Sequence, residues 1–276
     1  MTNNFDKKME EVLKNVGDMS LKRRARKIIE GLDLKNKEKI LDLGCGDGFY
    51  IHMLTQLPVK LDITGFDYDQ VVLKNARKNL GTKKVKLVSG TAEKMPFKNN
   101  TFDKIIMTEV LEHVEDDKKA LKEVHRILKK NGILTFTVPS YNFPFLWDPI
   151  NWGLQKVFNK HIGGIGFFAG IWAYHLRLYK KKNLINLFKQ ADFKIEKVEE
   201  LTTRALPFNH YLVNIVARFL YDIKPAAKYS DPISKFKNVN KPTLIKVAFF
   251  LVNLCDKLND IFPGKNGLNI YIKAKK

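Results

Sequence analysis

The first half of the chain alternates between short apolar runs and amphipathic segments. Short apolar runs predict buried strands, and apolar residues three or four positions apart predict helices. The predicted strands are 39–43, 61–66, 85–88, 103–107 and 133–138, and the predicted helices are 3–15, 20–34, 69–80 and 117–130. This alternation predicts an α/β fold, a doubly wound Rossmann-like sheet of mostly parallel strands with helices on both faces.

The second half is less regular. It predicts a helix over 180–191, a strand over 193–201, apolar helices over 211–221 and 243–262, a loop over 222–242 and a closing strand over 268–273. No linker separates the halves, so we predict one seven-stranded domain with an inserted helical C-terminal elaboration. Its parts are N-terminal helices (1–37), a core (38–140), lid and substrate insertions (141–262) and a closing strand (263–276).

Composition narrows the class of protein. The chain has 276 residues and is 45% apolar, which excludes a disordered protein. Its two cysteines, Cys45 and Cys255, exclude a disulfide scaffold and favour a reducing compartment. The N-terminal stretch lacks the apolar core of a signal peptide, and no apolar run is long enough to span a bilayer, so a cytoplasmic protein is expected.

Charge is distributed unevenly. The net charge is +20, of which +7 falls in residues 1–140 and +13 in residues 141–276. A basic, aromatic C-terminal half suggests a polyanionic partner, either nucleic acid or an anionic membrane surface. The alternative is that lysine simply serves as the generic surface residue.

Three glycines at alternate positions follow the first predicted strand, at Gly44, Gly46 and Gly48. Glycine lets a backbone turn tightly and approach a ligand closely, and Asp67 ends the next strand at the spacing of a ribose-binding carboxylate. The pattern G-x-G-x-G differs from the G-x-G-x-x-G of dinucleotide sites. Asp42 and Asp47 beside it would repel a pyrophosphate and suit a ligand with positive charge.

With these motifs, the chain resembles the class I S-adenosylmethionine-dependent methyltransferases, most closely the ubiquinone- and menaquinone-type branch. The matching segments are LDLGCGDG (41–48), GFDY (65–68), SGTAEKMPF (89–97) followed by Phe102 and Asp103, EVLEH (109–113) and KKNGIL (129–134). The resemblance covers roughly residues 38–140 and implies S-adenosyl-L-methionine as the cofactor.

The resemblance implies the cofactor-binding residues one by one. They are Asp42, Gly44, Cys45, Gly46, Gly48, Asp67, Tyr68, Thr91, Ala92, Glu93, Glu109 and Val110. Asp42 would orient the methionine amino group, Asp67 the ribose hydroxyls and Tyr68 the adenine. The family commonly has an acid where Thr91 stands, so the adenine contact would pass to Ala92 or Glu93. The alternatives are a turn or cap role for Asp42 and Asp47, a core position for Tyr68 and a packing role for Cys45.

His113 is the first candidate for a catalytic base and His175 the second, because a hydroxyl acceptor has to lose a proton. Glu109, Glu112 and His113 would share one face at a helix start by their i, i+3, i+4 spacing. Some quinone-type relatives use this arrangement for a divalent metal, but a surface pattern is the favoured interpretation and no metal is expected.

The expected acceptor is a small, hydrophobic or lipid-like molecule. Segment 141–178 follows the fifth strand, where this branch tends to place lids, and we call it the lid segment. An aromatic wall with polar anchors is predicted from His161, Trp172, Tyr174, His175, Arg177 and Tyr179. The alternative is that the His and Arg of this set pin the following helix. The apolar helices predicted over 211–221 and 243–262 either pack together or form a greasy pocket or surface patch.

Two other functions stay open. One is an RNA methyltransferase that uses the basic surface, although the chain lacks an appended RNA-binding module and the Asn/Asp-Pro-Pro-aromatic motif. The other is a non-catalytic cofactor-binding module. A peripheral contact with an anionic membrane is expected over one with nucleic acid, because the charge accompanies apolar helices.

Overall fold

The computed structural model describes residues 2–164, 167–204, 235–236 and 261–276, and eight positions between 247 and 260. These eight are 247, 250, 253, 254, 256, 257, 259 and 260, and all are helical, as predicted for 243–262. The predicted helix over 211–221 lies outside the described residues, as does most of the predicted loop over 222–242.

Seven strands form one sheet. They are β1 (Lys39–Leu43), β2 (Asp62–Asp67), β3 (Lys86–Ser89), β4 (Phe102–Thr108), β5 (Leu128–Pro139), β6 (Lys194–Leu201) and β7 (Asn269–Lys275). Their order is β3-β2-β1-β4-β5-β7-β6, in which β7 runs antiparallel to both neighbours and the other pairs are parallel. The predicted seven-stranded, mostly parallel sheet is confirmed, and the closing strand lies inside it.

Helices connect these strands. They are α1 (Thr2–Leu13), α2 (Met19–Gly31), α3 (Phe49–Gln56), α4 (Gln70–Leu80), α5 (Asp117–Ile127), α6 (Pro149–Phe158) and α7 (Lys181–Gln190), with a 3-10 helix over Phe167–Trp172. Carboxylates begin several of them, as Asp18 does for α2 and Asp69 for α4 by accepting backbone N–H groups. Among the described residues, no helix has the length and apolarity needed to cross a membrane.

Alternating side chains of the central strands bury two apolar layers. Ile105 and Met107 of β4 pack into the layer that contains α5 and α7, whereas Ile106 packs into the layer that contains α1, α2 and α3. This two-sided burial explains why the strands read as continuous apolar runs in the sequence.

Two predicted helical segments are corrected by the structure. The helix predicted over 117–130 ends at Ile127, because Leu128 adopts an extended backbone and pairs with Phe102 of β4. The segment 109–113 is a turn rather than a helix start, and Glu109 has a φ of 52°. The turn matters for function, because it changes which side chains face one another.

Candidate active site

A cavity of about 1130 Å³ opens where β1, β2 and β4 end at one edge of the sheet. Nine of the twelve predicted cofactor residues line it, namely Gly44, Gly46, Asp67, Tyr68, Thr91, Ala92, Glu93, Glu109 and Val110. The lining also includes Tyr174 and Leu176 of the lid segment. Asp42, Cys45 and Gly48 are not in the lining and lie behind it. Ligands of open α/β sheets bind at this edge.

The glycine loop after β1 uses left-handed backbone at all three glycines, and at Gly44 it also lies too close to Val110 for a side chain. Gly44 has a φ of 73°, and a Cβ there would lie 2.1 Å from Cγ2 of Val110. Gly46 has a φ of 52°, and its amide donates to Oδ2 of Asp67 at 2.9 Å. Gly48 begins α3 and packs against α4. The loop therefore joins the ends of β1 and β2 into one rigid edge of the cavity.

Asp67 is held in place from both sides. Besides the Gly46 amide on Oδ2, its Oδ1 accepts the Asp69 amide at 3.1 Å. Each carboxylate oxygen keeps a second lone pair, and the residue lines the cavity. This geometry suits a carboxylate that accepts hydrogen bonds from the two hydroxyls of a ribose.

Asp42 lies beneath the loop and is fully buried. Neither of its carboxylate oxygens has a hydrogen-bond partner among the described residues. Burial first, and then the charges of Asp67 and Asp47, raise its pKa to about 8. A buried acid without partners favours a nearby cation or N–H donor.

Tyr68 extends away from the core at the other end of the cavity. It is 75% exposed, which rules out the core alternative and leaves its ring free to lie against a planar ligand. Thr91 forms a bridge with Lys94, and Oε1 of Glu93 accepts the amide of Glu115 at 3.2 Å. The segment after β3 is thus fixed to the segment after β4.

Cys45 is a packing residue by its surroundings. It is buried, and burial raises the pKa of its thiol, so the sulfur stays protonated. Its side chain packs with the apolar layer around α3 rather than lining the cavity.

Glu109 belongs to a buried polar network that the sequence did not reveal. Its carboxylate pairs with Arg24 of α2 at 2.6 Å and accepts hydrogen bonds from Thr137 and Asn269, each at 2.9 Å. Arg24 sits three and four positions from the apolar residues Leu21 and Ile28, a spacing that puts it on the buried side of α2. The place of Arg24 among the apolar residues of α2 was the sequence signal that could have identified it as a member of this network.

Glu112, His113 and His175 come together on the other side of the turn. Oε1 of Glu112 lies 3.9 Å from Nε2 of each histidine, and the two imidazole rings pack edge to face. Glu112 is fully buried and, among the described residues, neither carboxylate oxygen has a hydrogen-bond partner. Glu109 and His113 both line the cavity, but Glu109 pairs with Arg24, and His175 is the third member of the cluster with Glu112 and His113.

Each histidine has one ring nitrogen fixed by a backbone carbonyl. Nδ1 of His113 bonds to the carbonyl of Tyr174 at 2.9 Å, and Nδ1 of His175 to that of Ile171 at 2.6 Å. A carbonyl only accepts, so both Nδ1 atoms carry the proton. Burial, and then His113, lower the pKa of His175 to about 4, so it is neutral and its Nε2 lone pair is free.

The rest of the predicted aromatic wall is divided. Tyr174 is 64% exposed and lines the cavity. Tyr179 is buried and donates to Asp117, and Arg177 bonds to the carbonyl of Glu115, so these two pin the lid segment to the start of α5. Trp172 is buried and stacks on His161.

A family profile described as a methyltransferase domain matches residues 41–136. This stretch contains the glycine loop, Asp67 and the turn with Glu112. Over these residues, about a third of its length, the chain is similar to the methyltransferase domain family. The cofactor of this family fits the residues present, because the partnerless Asp42 suits its amino group and the fixed Asp67 suits its ribose.

Individual relatives are more distant. The chain is 38% identical over 100 residues to a malonyl-(acyl-carrier protein) O-methyltransferase of Legionella pneumophila, a match that covers 36% of this chain and 35% of that protein. It thus spans about a third of that relative. It is 28% identical over 177 residues to a demethylmenaquinone methyltransferase of Thermotoga maritima, covering 63% of this chain and 74% of that one.

Solved structures support the fold of the chain. The [4+2]-cyclase SpnF superposes with a TM-score of 0.58 at 18% identity, covering 92% of this chain and 80% of that one. A neighbour named for cyclisation shows that the fold alone does not fix the reaction.

Proposed function

We propose that this protein transfers a methyl group from S-adenosylmethionine to a small, lipid-like acceptor that it meets at an anionic membrane surface. The observation that carries the acceptor class is a set of exposed apolar side chains on the lid segment, which also contributes Tyr174 and Leu176 to the cavity lining. The reaction type rests on the family and on the fit of the cofactor site.

Asp42 orients the cofactor's amino group from behind the cavity lining, Asp67 pairs with its ribose, and its adenine lies between Tyr68 and the segment Thr91–Glu93. Glu109 and Val110 close over the end where the methyl group lies. In this proposal Cys45 and Gly48 do not touch the ligand, and they act by packing the loop.

Methyl transfer from a sulfonium is an in-line displacement at carbon, in which a new bond to the acceptor forms as the C–S bond breaks. The sulfur leaves as a neutral thioether, so the protein contributes mainly proximity and alignment. A hydroxyl acceptor also gives up a proton. His113 lines the cavity, and its Nδ1 is held by the carbonyl of Tyr174, so its Nε2 is the atom placed to take that proton, with His175 packed against its ring.

We call the exposed large apolar side chains of the lid segment outside the cavity lining the apolar rim. Its members are Phe145, Leu146, Ile150, Val157, Phe158, Ile162 and Phe168, each between 37% and 71% exposed. The carbonyl of Gly164, two residues after Ile162, accepts the amide of Tyr174, so this part of the rim is tied to a residue that lines the cavity. Several large apolar side chains exposed on one segment favour an interaction site.

Charge points to a membrane as the source of the acceptor. Asp148 is the one acidic residue of the lid segment, and it is fully buried at the start of α6. Lys156 and Lys160 flank the rim. By contrast, the basic face of α2 is occupied internally, since Arg23, Arg24, Arg26 and Lys27 all form ion pairs. Apolar side chains rimmed by lysine suit an anionic bilayer better than RNA.

The test is transfer of a tritiated methyl group from S-adenosylmethionine to separated lipid and RNA extracts, with flotation on vesicles of an anionic and of a zwitterionic lipid. We expect label in the lipid fraction and flotation with anionic vesicles only. The double variant Val157→Ser/Phe158→Ser is expected to lose flotation, whereas Val71→Ser, equally exposed on α4, keeps it. Label in RNA alone overturns the lipid-like acceptor. Cofactor binding without label in either extract overturns the catalysis.

A further inference from the structure

The side chains of Glu112, His113 and His175 bring three possible metal-ligand atoms to one point. The Nε2 atoms of both histidines carry lone pairs, because their Nδ1 atoms hold the protons, and the carboxylate of Glu112 lacks a partner among the described residues. Oε1 of Glu112 lies 3.9 Å from both Nε2 atoms, too far for a direct hydrogen bond, so these atoms leave room for a shared cation between them.

We propose that Glu112, His113 and His175 form a binding site for one divalent transition-metal ion. The three ligand atoms lie within 4.8 Å of one another. An ion about 2.1 Å from each ligand needs them about 3.4 Å apart, so the side chains close by less than about 1 Å each. Two imidazoles and one carboxylate suit zinc, iron or cobalt, whereas magnesium and calcium favour oxygen ligands.

The groups behind the ligands match those of a metal site. A metal-binding histidine normally donates its second ring N–H to a carbonyl or carboxylate, which fixes the ring and its tautomer. Both histidines do so here, through the carbonyls of Tyr174 and Ile171. The amide of Leu176 also donates to the carbonyl of Glu112 at 3.0 Å, so the lid segment is already seated at this point.

The ion would join two parts of the chain that are distant in sequence. Glu112 and His113 belong to the turn after β4, and His175 belongs to the lid segment. His113 lines the cavity, so open coordination positions would face the acceptor. If the proposed methyl transfer is correct, the ion binds the acceptor oxygen there and favours loss of its proton, and His113 is then a ligand rather than the base.

The site is tested by adding Co²⁺ or Zn²⁺ to metal-free protein, with no methyl acceptor present. We expect one Co²⁺ per chain, visible in the absorption spectrum, and a Zn²⁺-dependent rise in the melting temperature of about 5 °C or more at saturating metal. His175→Ala and His113→Ala are each expected to weaken metal binding at least tenfold. His161→Ala, also in the lid segment but outside the cluster, is the matched control and keeps wild-type binding.

Glu112→Gln separates a metal ligand from a merely structural carboxylate. Glutamine keeps the size of the buried side chain but does not supply a carboxylate ligand, so the metal-free variant is expected to melt close to the wild-type temperature while losing the rise with Zn²⁺. A metal-free variant that melts lower, with the Zn²⁺ rise intact, overturns the site. So does Co²⁺ binding that is unchanged in all three cluster variants, whether or not methyl transfer is found.

Discussion

The two ends of the cavity are built in different ways. The cofactor end consists of a glycine loop and two aspartates that lie at most 25 positions apart, and much of its geometry comes from backbone amides. The acceptor end is made of side chains from four separate places: α2, the turn after β4, the lid segment and β7. Changes at the first end are expected to alter cofactor affinity, and changes at the second to alter turnover and stability.

The largest effect is expected from Arg24→Ala, which leaves the carboxylate of Glu109 without its ion-pair partner. Breaking a buried pair costs about 3–5 kcal/mol, and a cost of about 3 kcal/mol is expected here because the two side chains are 15% and 23% exposed. The variant is expected to lose turnover more than cofactor affinity. Chemical denaturation and cofactor titration measure the two effects. Arg26→Ala on the same helix breaks an exposed pair with Glu10 and is expected to cost less than about 1 kcal/mol.

A double variant checks the cause. Arg24→Ala/Glu109→Gln removes both charges and is expected to recover at least about 1 kcal/mol of the unfolding free energy. The single variant Glu109→Gln completes the cycle. If the double variant loses as much unfolding free energy as Arg24→Ala and Glu109→Gln together, Arg24 acts through packing instead.

Gly44→Ala is expected to lower the free energy of unfolding by about 3 kcal/mol, because the new Cβ meets Val110 and the backbone has a left-handed φ. Cofactor binding is expected to fall at least 100-fold by calorimetry. Gly81→Ala has a similar φ of 60° and no neighbour within 4 Å, so it tests backbone strain alone. An equal loss of unfolding free energy in Gly44→Ala and Gly81→Ala would contradict the close approach of the loop to Val110.

Asp42→Asn is expected to weaken cofactor binding about tenfold, since a charged hydrogen bond is worth roughly 1.5 kcal/mol or more. The pKa of Asp42 is raised by folding to about 8, so its contribution to stability is present below pH 4 and is lost as the pH rises toward 8. The variant is expected to lose this pH dependence in thermal melts.

Cofactor binding adds a second signature of Asp42. Near pH 7 the approaching ammonium group favours the carboxylate, so the wild type is expected to release more protons on binding than Asp42→Asn. Calorimetry in two buffers with different ionisation heats counts them. Equal proton release by both proteins would remove Asp42 from the site.

Tyr68→Ala is expected to have the smallest effect. The ring is mostly exposed, so stability is unchanged, while loss of stacking on adenine weakens cofactor binding about five- to tenfold, near 1 kcal/mol. Val71→Ala, an exposed neighbour outside the cavity lining, is the control. A clear drop in melting temperature for Tyr68→Ala would show a structural role instead.

Sequence reasoning predicted the two ends unequally for a physical reason. Strand alternation, the glycines and Asp67 are local signals, because backbone geometry depends on neighbours in the chain. The pairing of Arg24 with Glu109 and the approach of His175 to Glu112 depend on packing between distant segments, which no spacing encodes. The turn over 109–113 was mistaken for a helix start because i, i+3, i+4 spacing does not specify a helix, and Glu109 adopts a left-handed backbone instead.

The most direct test of the account is calorimetric titration of S-adenosylmethionine into the wild type, Asp67→Ala and His113→Ala. The account predicts one site per chain in the wild type, at least 100-fold weaker binding in Asp67→Ala, and binding within about threefold of wild type in His113→Ala. The absence of binding to the wild type, or equal weakening in the two variants, would contradict the division into a cofactor end and an acceptor end.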